Sequence, residues 1–493
     1  MVHSSMVGAG TSGRELRVES GEICPLDLQT ICPDRCRTAL TWILFRGPPT
    51  GETPIGRSFT WFVLRLFFRR LEVVGAERVP RAGAVLLVLN HPNALVDPML
   101  VLALSPRPVV FLAKAPLFRL PVIGQLVRAS GAIPVERPQD PGGDVSRNQT
   151  MFAQVQQALA AKRCIALFPE GTSHSDPQLH PFKTGAARIA LGAAATGIAV
   201  HIVPAGLFYT SKATFRSAAL LSVGEPMLIP ATGPGGDPDH AAVRDLTDRL
   251  ERALAGVTLQ ADRHEAMTIA SRVELLLTSG DAADGRRLPL AEQLALRRRV
   301  VSSLRRISST RPVELAQLGE RVALFEASLA DAGLDTETFN YQLPGAGAAA
   351  MATARMLLYI SIVLPVAAAG LMVHYPAYRL IGVLATSATR TSSDVEATAK
   401  IVIATLLFPM TWVAVGLGAG QLYGSAAGWA AAAVAPGAGY VGLRLVERLD
   451  RFIGEGKGVL LSVFRPAQYR ALMEERAALR EDIVSLDPGG AEG

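Results

Sequence analysis

The chain has 493 residues, of which 49% are hydrophobic and only 19% are charged, and its mean hydropathy is +0.28. This length predicts two or three domains, and a composition this apolar argues against an ordinary soluble enzyme and favours a membrane-associated protein. The net charge of +6 suits anionic lipid headgroups or nucleic acid, but the sequence shows no nucleic-acid motif, so we expect lipid and no nucleic acid as a partner.

The N-terminal segment, residues 1–56, is rich in Gly, Ser, Pro and Thr, and we predict that it is mostly disordered. The next stretch, Arg57–Leu71, combines five aromatic residues with four arginines and contains no acidic residue. It is too short to cross a bilayer, and arginines beside aromatic rings are typical of a helix that lies in the membrane interface. The alternative is a core helix with a basic outer face.

Short apolar runs alternate with helical patterns from Leu71 to Pro230. The predicted strands are Ala84–Leu89, Val109–Ala113, Ala132–Val135, Cys164–Pro169, Ile202–Phe208 and Leu221–Ile229, and the predicted helices are Pro98–Leu104, Phe118–Ala129, Arg147–Ala161 and Phe182–Ala195. This alternation predicts an α/β fold with a mainly parallel sheet flanked by helices, in one domain over residues 57–238. Functional residues of such sheets gather in loops at the carboxyl ends of strands. Two polar turns, at residues 90–98 and 168–175, have that position.

The C-terminal half changes in composition along its length. Residues 239–342 have a charged helical pattern, which predicts a soluble helical extension. Met356–Val373 and Ile401–Ala419 are uncharged and long enough to cross a membrane, and Gly424–Leu443 is a weaker third run. We therefore predict membrane helices over 343–455 and a tail over 456–493. The basic residues after the last run favour a cytoplasmic tail, hence an even number of crossings with one run re-entrant or interfacial, and a catalytic domain that faces the cytoplasm.

Glycines recur at every fourth residue from Gly416 to Gly428. Small residues at this spacing share a helix face and allow close contact between membrane helices. One continuous helix from Ala399 to Ala435 would be about 55 Å long, whereas the hydrocarbon core is about 30 Å thick. We therefore predict a break or bend near Gln421–Gly424.

Four sequence blocks occur in an order that resembles a known family. They are "NHPNALVDP" at 90–98, "GAIPVER" at 131–137, "FPEGTS" at 168–173 and "VPAG" at 203–206. Together they resemble the glycerolipid acyltransferases, the glycerol-3-phosphate and 1-acylglycerol-3-phosphate acyltransferases, over about Leu71 to Pro230. The later hydrophobic extension resembles a longer subgroup that carries extra membrane segments. One departure concerns the first block, in which five residues separate His91 from Asp97 where the family pattern has four.

The resemblance implies transfer of a fatty acyl group from a thioester, acyl-CoA or acyl carrier protein, to the hydroxyl of glycerol-3-phosphate or lysophosphatidate in phospholipid biosynthesis. An imidazole titrates near neutral pH and suits a general base that takes the hydroxyl proton, and an aspartate on the other ring nitrogen would fix its tautomer. We therefore predict His91 and Asp97 as the catalytic pair. The alternatives are an ordinary turn residue for His91 and a helix N-cap before Pro98 for Asp97.

A phosphate-bearing acceptor needs fixed cations. Arg137 resembles the family's phosphate-contacting arginine, and a guanidinium can bind phosphate through two hydrogen bonds. Lys183 lies at a predicted helix start, where an anion is also favoured. Arg137 could instead be an ordinary surface arginine.

The third and fourth blocks imply further binding residues. Glu170 and Gly171 resemble the family's acceptor-binding pair, and Thr172 adds a hydrogen-bonding group, although Glu170 could instead be a structural cap. Pro204 is expected to shape the acyl pocket rather than to contact the reacting atoms.

We expect no cofactor beyond the thioester co-substrate and no metal. The three histidines at positions 174, 180 and 201 lack the carboxylate or thiolate spacing of a metal site. Two other functions stay open, acylation of a different lyso-lipid and an inactive acyltransferase-like membrane scaffold. The intact His91, Arg137 and Glu170 argue against the scaffold.

Overall fold

The computed structural model describes residues 54–120, 123–137, 148–233, 238–278, 288–334, 346–389 and 395–486. Nearly all of the segment predicted to be disordered, residues 1–56, lies outside the described residues. Its last three residues open helix α1, Pro54–Phe67.

Eight strands in the described residues form one sheet. They are β1 Arg70–Val74, β2 Ala84–Leu89, β3 Val109–Lys114, β4 Ile133–Val135, β5 Cys164–Leu167, β6 Val200–Tyr209, β7 Ala218–Val223 and β8 Met227–Ile229. The order across the sheet is β1-β7-β6-β2-β5-β3-β4, and β8 pairs with β6. All pairings are parallel except those of β7 and β8 with β6, so the predicted mainly parallel sheet is confirmed.

Helices cover both faces of this sheet. Those of the acyltransferase region are α1, α2 Val96–Leu104, α3 Ile123–Ala129, α4 Asn148–Ala160, α5 Gly185–Ala195 and α6 His240–Ala255. The central strand β2 is buried at every position because its alternate side chains enter two different cores. Val85, Leu87 and Leu89 pack with α1 and α2, whereas Leu86 and Val88 pack with α4, α5 and α6.

Two element predictions were wrong. The predicted interfacial helix ends at Phe67 rather than Leu71, because Leu71 and Val73 alternate into the core as part of the edge strand β1. The predicted strand Leu221–Ile229 is two strands, β7 and β8, which pair with different parts of β6.

Helix α1 has a core face and an outer face. Leu64 and Phe67 are buried in the same core as β2, whereas Phe59 and Phe62 are 53% and 59% exposed. Arg57 donates a hydrogen bond to the carbonyl of Ser105 at the end of α2, at 2.7 Å. One face of α1 therefore packs in the core, as the core-helix alternative expected. Insertion of its exposed aromatic face into a membrane interface stays a prediction.

The remaining helices follow α6. They are α7 His264–Thr278, α8 Leu290–Thr310, α9 Pro312–Asp331, α10 Ala346–Ala388, α11 Glu396–Tyr423, α12 Ser425–Phe464 and α13 Pro466–Leu486. Helices α7, α9 and α13 share one small core, which includes Leu276, Phe325 and Leu479. Helix α6 packs instead on the sheet. The domain boundaries given above stay predictions.

Two of these helices, α10 and α11, are long and apolar enough to cross a membrane by length and composition. Few of their side chains are buried inside the protein, since only 11% of the most apolar 18-residue stretch of α10, and 6% of that of α11, is buried. The predicted break is confirmed, because α11 ends at Tyr423, Gly424 adopts a left-handed φ of 91°, and α12 begins at Ser425.

The glycine repeat lies where α11 and α12 approach each other. A Cβ placed on Gly428 would lie 2.6 Å from the carbonyl oxygen of Gly416 and 2.9 Å from the Cα of Gly420. The predicted close contact between helices is therefore present, and it joins the two arms of the hairpin that turns at Gly424.

Candidate active site

The first polar turn leaves the central strand of the sheet and is anchored by its first residue. The Asn90 side chain accepts a hydrogen bond from the amide of Leu207 at 2.7 Å and donates one to the same residue's carbonyl at 3.1 Å. These two bonds hold the start of the turn against β6. The next residue, His91, is thereby placed at the carboxyl end of β2.

His91 and Asp97 are in direct contact despite the longer spacing. The His91 Nδ1 lies 2.8 Å from Asp97 Oδ2. A carboxylate can only accept, so Nδ1 carries a proton, and in the neutral imidazole Nε2 is then the atom that can accept one. Asp97 is not a helix N-cap, because α2 begins at Val96 and the cap position is Leu95. The predicted pair is therefore in contact, and its role as base and orienting partner stays a prediction.

The Asp97 carboxylate is fully buried and receives two further hydrogen bonds. The Asn93 amide donates to Oδ2 at 2.7 Å, and the Tyr209 hydroxyl donates to Oδ1 at 2.6 Å. Burial, reinforced by the charge of Asp97, raises the pKa of Tyr209 well above its usual value of about 10, so the hydroxyl keeps its proton. Sequence reasoning missed Tyr209, because nothing in the β6 pattern separates it from an ordinary core tyrosine.

Stacking and backbone contacts fix the orientation of His91. Its ring stacks on Phe168 with centroids 3.9 Å apart and planes 8° apart. The His91 amide donates to Glu170 Oε1 at 3.1 Å, and its carbonyl accepts from the His174 amide at 3.1 Å. The two polar turns predicted from the sequence therefore form one site.

Glu170 uses both carboxylate oxygens inside the protein. Its side chain is buried, Oε1 accepts from His91, and Oε2 accepts from the His180 amide at 2.8 Å and also contacts the His174 ring. These contacts give Glu170 a structural role, which the sequence analysis named as the alternative to acceptor binding. A role for Glu170 in binding the acceptor stays a prediction.

Arg137 and Lys183 meet at Gly171. The Arg137 Nη1 donates to the Gly171 carbonyl at 2.6 Å. Gly171 has a left-handed φ of 72°, and a Cβ there would lie 2.8 Å from Lys183 Nζ. The backbone conformation therefore favours glycine, and a Cβ here would displace the flexible end of the Lys183 side chain. Two cations thus approach one peptide, next to the residue that binds the His91 backbone.

Asn148 is a second residue that sequence reasoning missed. Its amide accepts from the Glu136 N–H at 3.1 Å and donates to the Glu136 carbonyl at 2.9 Å. This pair of bonds fixes the backbone just before Arg137. Thr172, by contrast, is exposed, and within the described residues its hydroxyl makes a long contact of 3.4 Å with the neighbouring Ser173 carbonyl.

Pro204 lies in the middle of β6, paired with Val88. Strand alternation puts it on the face opposite Ala205 and Tyr209. There its ring lies 3.0 Å from the position that a Cβ on Gly224 would take. The structure thus gives Pro204 a packing contact away from Tyr209, and its part in an acyl pocket stays a prediction.

His174, Asp176 and His180 form a cluster whose potential ligand atoms lie within 4.8 Å of one another. The two imidazoles are parallel, with centroids 3.6 Å apart and planes at 0°. An imidazole binds a metal in its ring plane, so two stacked rings do not direct their lone pairs at one ion. The hydrogen bond from His180 lowers the pKa of Asp176, and the contacts within the cluster link residues on both sides of the turn.

A cavity of about 1970 Å³ lies between the sheet region that carries the candidate site and the long apolar helices. Its lining combines aromatic residues with charged ones, among them Phe59, Phe215, Arg216, Tyr378 and Lys400. It reaches Thr210, the residue directly after Tyr209.

The comparisons with known proteins concern the region that carries this site. Residues 70–207 match the family model described as Acyltransferase, so this part of the chain is a domain of the acyltransferase family. The chain is 24% identical over 351 residues to glycerol-3-phosphate O-acyltransferase 1 of Saccharomyces cerevisiae, covering 52% of this chain and 46% of that protein. It is 28% identical over 166 residues to a chloroplastic 1-acyl-sn-glycerol-3-phosphate acyltransferase of Arabidopsis thaliana, covering 32% and 44%.

Among solved structures, the chain is similar to a 1-acyl-sn-glycerophosphate acyltransferase of Thermotoga maritima, with 20% identity and a TM-score of 0.32 over 46% of this chain and 83% of that one. The chain spans less than half the length of the curated relatives described here.

Proposed function

We propose that the protein is a membrane-bound acyltransferase that moves a fatty acyl group from an acyl thioester to the hydroxyl of glycerol-3-phosphate or lysophosphatidate. The observation that carries the proposal is the His91–Asp97 pair at 2.8 Å, joined through Glu170 to the peptide that Arg137 and Lys183 approach. A base and two cations in one site suit a phosphorylated alcohol. The similarity to glycerol-3-phosphate and 1-acylglycerol-3-phosphate acyltransferases supports the same substrates.

The chemistry follows from the tautomer of His91. Its Nε2 accepts the proton of the acceptor hydroxyl while the hydroxyl oxygen attacks the thioester carbonyl. The carbon–sulfur bond then breaks, and the proton passes from the imidazolium to the departing thiolate, which leaves as a thiol. Asp97 stabilises the transient imidazolium, and no serine nucleophile is needed because the substrate supplies the attacking oxygen.

The anion site lies around Gly171. Arg137 and Lys183 supply positive charge for the phosphate, and the absence of a Cβ on the left-handed Gly171 lets the Lys183 side chain lie against its backbone. The thioester is brought by acyl-CoA or an acyl carrier protein, and the reaction needs no further cofactor.

Membrane attachment is part of the proposal. Helices α10 and α11 present apolar side chains outward, for example Ile362 at 69% and Leu417 at 65% exposure. In water such faces would favour aggregation, whereas a bilayer removes this cost. We place the catalytic domain on the cytoplasmic side because basic residues follow the apolar runs.

The test is thiol release from an acyl-CoA by the purified protein, with glycerol-3-phosphate and lysophosphatidate supplied in separate reactions. His91→Ala should lower turnover at least about 100-fold, because a positioned general base contributes that much. His240→Ala removes an exposed histidine at the start of α6 and serves as the control. Near-normal turnover of His91→Ala would refute the mechanism, and a wild-type protein inactive with both acceptors would refute the substrate assignment.

A further inference from the structure

The turn that carries the catalytic pair has an irregular backbone. Ala94 has a left-handed φ of 37°, which is uncommon for a residue with a side chain. It lies within the five-residue connection from His91 to Asp97, one residue longer than the family pattern. The Asn93 amide donates to Asp97, and the Val96 amide donates to the Asn93 carbonyl at 2.9 Å. Leu95, between them, is the N-cap of α2 and has no side-chain cap bond.

A residue of the second candidate membrane helix completes this turn. The Leu95 amide donates to Thr398 Oγ1 at 3.1 Å, across 303 positions of sequence. The amide groups at a helix start lack partners within the helix, so this hydroxyl supplies a bond that the turn itself does not. The neighbours of Thr398 strengthen the contact. Ala397 and Ile401 are buried in the same core as Val96 and Leu100.

A second link joins the same helix end to the strand that carries Tyr209. Lys400 Nζ donates to the carbonyl of Ala213 at 2.8 Å, in the loop after β6. The buried Asn93 side chain donates to the carbonyl of Lys212, the preceding residue, at 3.1 Å. The first turns of α11, the catalytic turn and the loop after β6 therefore form a closed set of three contacts around Asp97.

We infer that Thr398 is a positioning residue for the catalytic pair, through which the first turns of α11 hold the longer His91–Asp97 turn in its active conformation. The inference rests on the proposed function for its kinetic readout. Thr398 contacts no reacting atom and acts through the backbone of Leu95. The apolar helix α11 thereby supports the catalytic turn through this contact, in addition to any part in membrane attachment.

The test compares Thr398→Val with Thr398→Ser. Valine keeps the shape of threonine and removes the hydroxyl, whereas serine keeps the hydroxyl. We expect Thr398→Val to lower kcat about 3- to 10-fold, the range for one lost hydrogen bond expressed in the transition state, with KM for both substrates unchanged. Thr398→Ser should retain kcat within about twofold of the wild type.

Thr411→Val is the matched control, since within the described part of the chain its hydroxyl bonds to the Leu407 carbonyl of its own helix, at 2.8 Å. It should behave as the wild type. Equal losses in Thr398→Val and Thr411→Val would overturn the inference, because they would indicate a general effect on the helix bundle. A loss in Thr398→Ser as large as that in Thr398→Val would also overturn it, because the hydroxyl alone would then not preserve activity.

Hydrogen exchange of the Leu95 amide provides a readout that does not need activity. Exchange should be faster in Thr398→Val than in the wild type and unchanged in Thr411→Val. If Leu95 exchanges at the same rate in all three proteins, the inference is refuted even if kcat changes. If the wild type is inactive, the proposed function fails while the exchange experiment still decides whether α11 holds the turn.

Discussion

Replacement of Tyr209 by Phe isolates one hydrogen bond of the catalytic pair. The hydroxyl donates to Asp97 Oδ1 at 2.6 Å in a fully buried environment, and phenylalanine fits the same space. Without this donor, Asp97 keeps its bonds from Asn93 and His91 on Oδ2, while Oδ1 loses the partner described here. Hydrogen bonds to a charged group contribute about 1.5–3 kcal/mol, so the free energy of unfolding should fall by about that amount.

The effect on catalysis follows from the same energy. If the loss is expressed in the transition state, in which Asp97 stabilises the imidazolium, about 1.5–3 kcal/mol corresponds to a decrease in kcat of about 10- to 150-fold. The assay is thiol release under saturating acceptor and donor, with the melting temperature measured on the same preparation. KM for either substrate should change little, because Tyr209 contacts Asp97 rather than the site around Gly171.

Tyr423→Phe is the control, because this tyrosine is 79% exposed at the α11–α12 turn. It should match the wild type in both kcat and melting temperature. A Tyr209→Phe protein with kcat within twofold of the wild type would refute the reasoning, because Asp97 would then be organised without the hydroxyl. A lower melting temperature with unchanged kcat would make Tyr209 a residue of stability alone.

Three other predictions address the remaining parts of the site and the membrane. Arg137→Ala should raise KM for the phosphorylated acceptor, by an amount that corresponds to a loss of about 2–3 kcal/mol in apparent binding free energy, and should leave KM for the thioester unchanged. Kinetics with each substrate varied in turn check this. An effect confined to KM for the thioester would assign Arg137 to the binding of the acyl donor instead. Cys164 is buried, which raises the pKa of its thiol to about 12, so in a variant whose other cysteines are serine it should resist alkylation at pH 8–9 until the protein unfolds. Rapid alkylation of Cys164 in the folded protein would contradict its burial. The raised pKa also means that the folded state binds the thiol proton more tightly than the unfolded state does. The free energy of unfolding should therefore fall as the pH rises from about 9 towards 12. The full chain should stay with vesicles in a high-salt flotation assay, since its apolar helix faces are not held by charge, and release by salt would refute membrane insertion.

Local patterns determined much of the architecture. Alternating apolar runs identified most strands of the sheet, because a strand buried in a mainly parallel sheet must be apolar along its length. The length of the apolar segment beyond Ala399, set against bilayer thickness, located the break that the structure places at Gly424. The four blocks identified the acyltransferase domain, because each carries its functional residues in a short contiguous stretch.

The roles of residues that act through contacts distant in sequence could be identified only from the tertiary structure. Tyr209 lies 112 positions from Asp97, and Thr398 lies 303 positions from Leu95. Periodicity reports which face of an element is apolar, but it carries no information on which hydroxyl meets which buried carboxylate or amide. The same reason explains β1, since Arg70–Val74 continues the apolar character of α1 and becomes a strand only because β7 offers its edge. The sequence alone therefore identified His91 and Asp97 as the candidate catalytic pair, and the three-dimensional packing decided which groups hold the pair in place.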